Sequence, residues 1–146
     1  MLEDPGRLAD MGTVFLEDLP RGDALRLEYA AMLRSVRSAG WKTTFREASG
    51  AVRQSGGRFD LARKTYVSGR SVSDLTVAEE AVHWGQIVSE SSLSVAQLEY
   101  QAIGRVIRRF GLDTLPEWHP RRKETFDRFN AYRDKILGAG QNLPEI

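Results

Sequence analysis

The sequence predicts a mostly helical α+β domain, with about four helices and one small antiparallel sheet. Three observations carry this expectation. Apolar residues recur at helical spacing in four stretches, near residues 23–40, 73–88, 94–110 and 120–137. Between the first two, β-branched and aromatic residues gather in short runs broken by glycine. A chain of 146 residues is also long enough to bury one core as a single domain.

Residues 1–20 carry Pro5, Gly6, Gly12 and Pro20 without a sustained period and read as an irregular lead-in, leaving 21–146 as the domain. From Asp23, the residues Leu25, Tyr29, Met32, Leu33 and Val36 form one helical stripe that stops near Gly40. Trp41 to Arg46 suggests a strand, Ala51-Val-Arg53 a continuation, Ser55-Gly-Gly57 a turn, and Phe59 to Ser68 the return through Lys64-Thr-Tyr-Val67. The next helix is expected over Ser73 to Val88, with Ser71 or Ser73 as its N-cap. Ser94-Val-Ala-Gln97 is a capping box, opening a helix that buries Val95, Leu98, Ala102, Val106 and Phe110 and closes at Gly111. The last helix starts at Pro120 and turns Phe126, Phe129, Tyr132 and Ile136 inward before Gly138.

Composition narrows the function. With a net charge of +1, the chain lacks the basic excess of a dedicated nucleic-acid binder. No apolar run approaches the eighteen or so residues of a membrane span. The acidic start Met1-Leu-Glu-Asp does not open a signal peptide. Zero cysteines exclude disulfides, thiol nucleophiles and thiolate metal sites. There is no Gly-x-Ser-x-Gly elbow and no phosphate-cradling Gly-x-x-x-x-Gly-Lys. Any metal must rest on carboxylates and the two histidines, of which His119, just before Pro120, reads as a cap or loop residue.

The string Leu75-Thr-Val-Ala-Glu-Glu-Ala-Val-His-Trp-Gly-Gln86 has the spacing of a metal site. Residues four apart share one helix face, so Glu79 and His83 can reach a single cation. Glu80 is offset by about 100° and can lean over that cation without ligating it. Glu99, on the following helix, is the natural third ligand, because catalytic zinc takes three protein ligands and a water. The water, acidified to a pKa of roughly 7, would lose its proton to Glu80 while attacking a carbonyl. Gln86, one turn beyond His83, lies within reach of the rim, where it could bond a ligand or a substrate carbonyl. Other readings stand beside these. Thr76 and Glu79 also fit a capping box, Glu99 could pair with Arg105 or Lys64, and Gln86 could simply face solvent. The basic groups Arg105, Arg108, Arg109 and Arg121-Arg-Lys123 read as solvated faces or as a docking surface for an acidic protein.

The order of elements resembles the zincin-like metallopeptidase domains that end bacterial polymorphic toxins. It is carried by the helix ending at Gly40, the turn Gly56-Gly-Arg-Phe-Asp60, the strand Lys64-Thr-Tyr-Val67, the helix Glu79 to Gln86, Glu99-x-x-Ala102 and Tyr132 to Leu137. It spans roughly Arg21 to Leu137. The resemblance implies a zincin-like fold, zinc on Glu79, His83 and Glu99, and Glu80 as catalytic base. It further implies a protein or peptide substrate, a cognate immunity protein, and a secreted or delivered effector that acts in a target cell. Glu79 stands where a His-Glu-x-x-His peptidase has its first histidine. The contrasting expectation is a non-catalytic helical domain that binds an acidic partner through its basic clusters.

Overall fold

Asp23 starts the first helix. In the computed structural model, which describes residues 14–46, 57–69 and 72–146, its Oδ1 accepts the Leu25 N–H at 2.9 Å and opens α1, Ala24–Ser38. Tyr29, Met32 and Val36 are buried along one face. The helix closes as a Schellman motif around Gly40 at φ +86°, with Gly40 N–H donating to Arg37 and Trp41 N–H to Val36. Strand β1 (Lys42–Arg46) follows at once, then β2 (Gly57–Asp60) and β3 (Thr65–Gly69). Helices α2 (Asp74–Val88), α3 (Val95–Phe110) and α4 (Pro120–Gly138) complete a mostly helical α+β architecture.

The chain divides into two compact units, one of Val14–Gly85 and one that includes Gln86–Ile146. In the first, the strands form a mixed sheet in the order β1-β3-β2. β2 runs antiparallel to β3, but β1 runs parallel to it, with Lys42 opposite Thr65 and Arg46 opposite Gly69. The expectation of an antiparallel sheet is therefore corrected for one of its two pairings. Strand direction leaves no mark on a period-2 pattern, so residues 41–46 could not disclose it. Phe59 to Ser68 proves to be two strands with a turn at residues 61–64, and Gly57 opens β2 instead of ending a turn. The expected strand at residues 51–53 lies outside the described residues, as do residues 1–13 of the lead-in. Phe15 forms an isolated bridge with Ser73, and a short 3-10 turn occupies Leu16–Asp18.

The core of this unit is aromatic. Trp84 of α2 stands edge-on to Trp41 with centroids 5.5 Å apart and stacks on Phe59 at 5.7 Å, while Phe59 lies 4.5 Å from Tyr66. The Trp84 indole N–H donates to Ser35 Oγ at 3.0 Å, so the ring's polar edge is satisfied within the core.

In the second unit α3 opens on the expected capping box: Ser94 Oγ accepts the Gln97 N–H, and Gln97 Oε1 accepts the Ser94 N–H at 2.9 Å. Tyr100, Ala102, Ile103, Val106 and Ile107 are buried. Val95 is not, with 76% of its surface exposed. It occupies the first helical position, where the stripe has not yet turned inward. α4 packs antiparallel on α3: Arg121 at its start lies over the Phe110 ring at the end of α3, and Tyr100 stacks on Phe129 at 4.4 Å. His119 caps α4, its Nδ1 accepting the Arg121 N–H, with Pro120 at the first helical position.

Candidate functional site

Ser73 settles how α2 begins. Its Oγ accepts the Thr76 N–H at 3.2 Å and donates to Thr76 Oγ1 at 2.8 Å, so Ser73 is the cap and Thr76 lies inside the first turn. Glu79 is thereby released from a capping box with Thr76. Downstream, the helix presents two stripes. Val77, Glu80 and Trp84 share one, and all three are buried. Glu79, His83 and Gln86 share the other, rotated by about a third of a turn at 100° per residue.

On the second stripe Glu79 Oε1 and His83 Nε2 stand 3.9 Å apart, with side chains only 15% and 17% exposed. That gap is too long for a hydrogen bond. It suits two donors to one cation: atoms about 2.1 Å from a common ion are roughly 3.4 Å apart in a tetrahedron and at most about 4.2 Å apart. Carboxylate oxygen with imidazole nitrogen is also a donor set that zinc accepts. Glu99 belongs to the second unit, half-buried on α3 between Leu98 and Tyr100.

Glu80 enters a polar pocket of the first unit that sequence reasoning did not find. Gly57 makes room for it. A Cβ at that position would lie 2.9 Å from the Tyr66 hydroxyl and 3.2 Å from Glu80 Oε1, so both oxygens crowd against the bare backbone of β2. Tyr66 and Ser68, two apart on β3, are fully buried. The Tyr29 hydroxyl of α1 shares a 2.8 Å hydrogen bond with Ser68 Oγ. The Tyr66 hydroxyl has no hydrogen bond of ordinary geometry among the described residues. Burial, and then the Glu80 charge, push the Tyr66 phenol well above the usual tyrosine range. Burial also raises Tyr29, and the same carboxylate adds to that. The available signal was a serine two residues from a tyrosine on the inward side of a strand, an unusual polar insertion in a core face.

Gln86 is buried, which replaces the solvent-facing alternative. Its Nε2 donates to the Leu98 carbonyl at 3.1 Å and to Gln101 Oε1 at 2.9 Å, the two residues that bracket Glu99 and Tyr100 on α3. His119 is used as a helix cap. Compared with known protein families, curated proteins and solved structures, the chain gives no match.

Proposed function

We propose that the protein is a zinc-dependent hydrolase, a peptidase by preference, in which Glu79 and His83 hold the ion and Glu80 is the base. The observation that carries this reading is the half-buried Glu79–His83 pair, one turn apart with its donor atoms spaced for a shared cation. By the resemblance, Glu99 would supply the third ligand. When bound, such an ion acidifies a water and polarises a carbonyl.

The remaining chemistry falls to the chain's own groups. Glu80 projects about 60° around α2 from His83, close enough in angle to accept a proton beside the ligand stripe. Its burial against Tyr66 and Gly57 fixes the carboxylate before substrate arrives, and a positioned base contributes roughly 10² to 10⁴ in rate. Gln86, held by Leu98 and Gln101, would keep the α3 backbone around Glu99 in place. By resemblance, the reading extends to a toxic C-terminal module of a larger bacterial effector, with a peptide or protein substrate and a neutralising immunity protein.

The experiment is metal analysis joined to two variants. Purified protein should carry zinc near one equivalent, and His83→Ala should lose it. Glu80→Gln should keep the metal and the fold while activity falls by at least about a hundredfold, whether read as peptide hydrolysis or as toxicity in expressing cells. Full activity in Glu80→Gln would sink the mechanism, and zinc-free protein would sink the site.

A further inference from the structure

The chain does not end with α4. Gly140, at φ +70°, closes that helix with a second Schellman motif, Gly140 N–H donating to Leu137 and Gln141 N–H to Ile136. The segment from Gln141 to Ile146 then turns back along α3. Four side chains of α3 and its cap meet it in order. Ser94 Oγ donates to Gln141 Oε1 at 2.9 Å, and Gln97 Nε2 donates to the Asn142 carbonyl at 2.9 Å. Gln101 Nε2 donates to the Glu145 carbonyl at 2.9 Å, and Arg108 Nη1 to the main-chain oxygen of Ile146 at 2.8 Å.

The spacing shows the segment to be stretched. Ser94 to Gly104 spans about 15 Å along the helix axis, whereas five residue steps reach at most about 18 Å. At Gly104 the helix has a notch, and the Ile146 side chain fills it: an added Cβ would lie 2.9 Å from Ile146 Cγ1 and 3.0 Å from Cγ2, and these are its nearest neighbours together with Cδ1. Three of the four contacts read main-chain oxygens, and the fourth reads a side-chain amide. Recognition of this kind accepts many sequences, with the notch selecting one aliphatic side chain.

We infer that α3 carries a binding groove for an extended peptide, which residues 141–146 occupy in cis. Its ligand class is a stretched segment that presents main-chain carbonyls, here those of Asn142, Glu145 and Ile146, to Gln97, Gln101 and Arg108 and places a branched aliphatic residue over Gly104. The four hydrogen bonds are solvent-exposed, so the occupant is held mainly by its tether, which keeps its local concentration in the millimolar range. A free peptide of the same chemistry enters when the tethered one is weakened. Gln101 also links occupancy to Gln86, since its Oε1 accepts from Gln86 Nε2 while its own amide holds Glu145.

The test uses full-length chains and a fluorescein-labelled peptide, Gln-Asn-Leu-Pro-Glu-Ile, followed by anisotropy. The wild-type chain should exclude the peptide, and Ile146→Asp, which spoils the tethered anchor and leaves the groove intact, should bind it at least tenfold more tightly. Adding Gly104→Ala to Ile146→Asp fills the notch and should remove that gain, while alanine preserves the helix. In the wild-type chain, backbone order parameters of residues 142–146 should approach the rigid value of about 0.85. Equal binding to wild type and Ile146→Asp, no binding to either, binding indifferent to Gly104→Ala, or order parameters below about 0.6 would each overturn the inference.

Discussion

Replacing Gly57 with alanine tests the pocket that fixes Glu80. The new methyl would sit 2.9 Å from the Tyr66 hydroxyl, 3.1 Å from the Val67 carbonyl and 3.2 Å from Glu80 Oε1, all inside ordinary carbon–oxygen contact. Tyr66 is fully buried beneath Phe59, and Val67 O is main chain in the central strand, so neither can yield cheaply. Overpacking of this kind costs about 1 to 3 kcal/mol, and alanine recovers about 0.5 to 1 kcal/mol through its smaller unfolded-state entropy. The net expectation is a loss of about 1 kcal/mol, and at most about 2.5 kcal/mol, by urea denaturation. A double-mutant cycle localises the cause. In a Tyr66→Phe background the closest contact is gone, so Gly57→Ala should cost less there, with a coupling of about 0.5 kcal/mol or more. Under the proposed function, the displaced carboxylate should also lower hydrolytic activity at unchanged zinc content. A Gly57→Ala protein as stable as wild type, or a strictly additive cycle, refutes the packing described around Glu80.

Alkaline stability follows from the same pocket. Above about pH 10 an unfolded tyrosine releases its proton while folded Tyr66 keeps it, so the folded state holds more protons and stability falls as pH rises. The slope should approach 1.4 kcal/mol per pH unit for each such group, and Tyr66→Phe should flatten it in urea midpoints taken from pH 9 to 11.5. Ser94→Ala removes the side-chain half of the α3 capping box and should cost about 1 kcal/mol by the same denaturation assay. Gln86→Ala leaves the half-buried Leu98 carbonyl without this donor; under the proposed function, zinc affinity by competition titration should fall 10- to 100-fold, and an unchanged value would place Gln86 outside the site.

Local chemistry made much of this fold legible. Asp23, Gly40, Ser94 with Gln97, Pro120 and Gly111 act on their own neighbours in sequence, and each sits where its backbone preference required. The Glu79–His83 pair is legible for the same reason, being a contact within one helix. What escaped depends on residues far apart in the chain. The direction of β1 is decided by its pairing with β3, and the burial of Ser68 by a tyrosine contributed from α1. Val95 followed the apolar pattern but lies in the first turn, outside the packed length of α3. Gln86 was open between the rim of the site and a solvent-facing position, and its burial depends on two acceptors on α3 that its own helix does not reveal.

The strand order β1-β3-β2 also dictates an order of events during folding. β2 and β3 are joined by the short turn at residues 61–64, where Lys64 adopts φ +45° and Asp60 Oδ1 accepts the Arg63 N–H, so their hairpin closes a small loop. β1 must wait, because pairing Lys42 with Thr65 closes a much longer one, and loop entropy opposes it until the hairpin offers a free edge. Substitutions at Phe59 should therefore slow refolding, whereas those at Thr43 and Thr44 should mainly hasten unfolding. Until β1 docks, the edge of the central strand that it will cover stays open, and during that interval the hairpin can pair there with a neighbouring molecule.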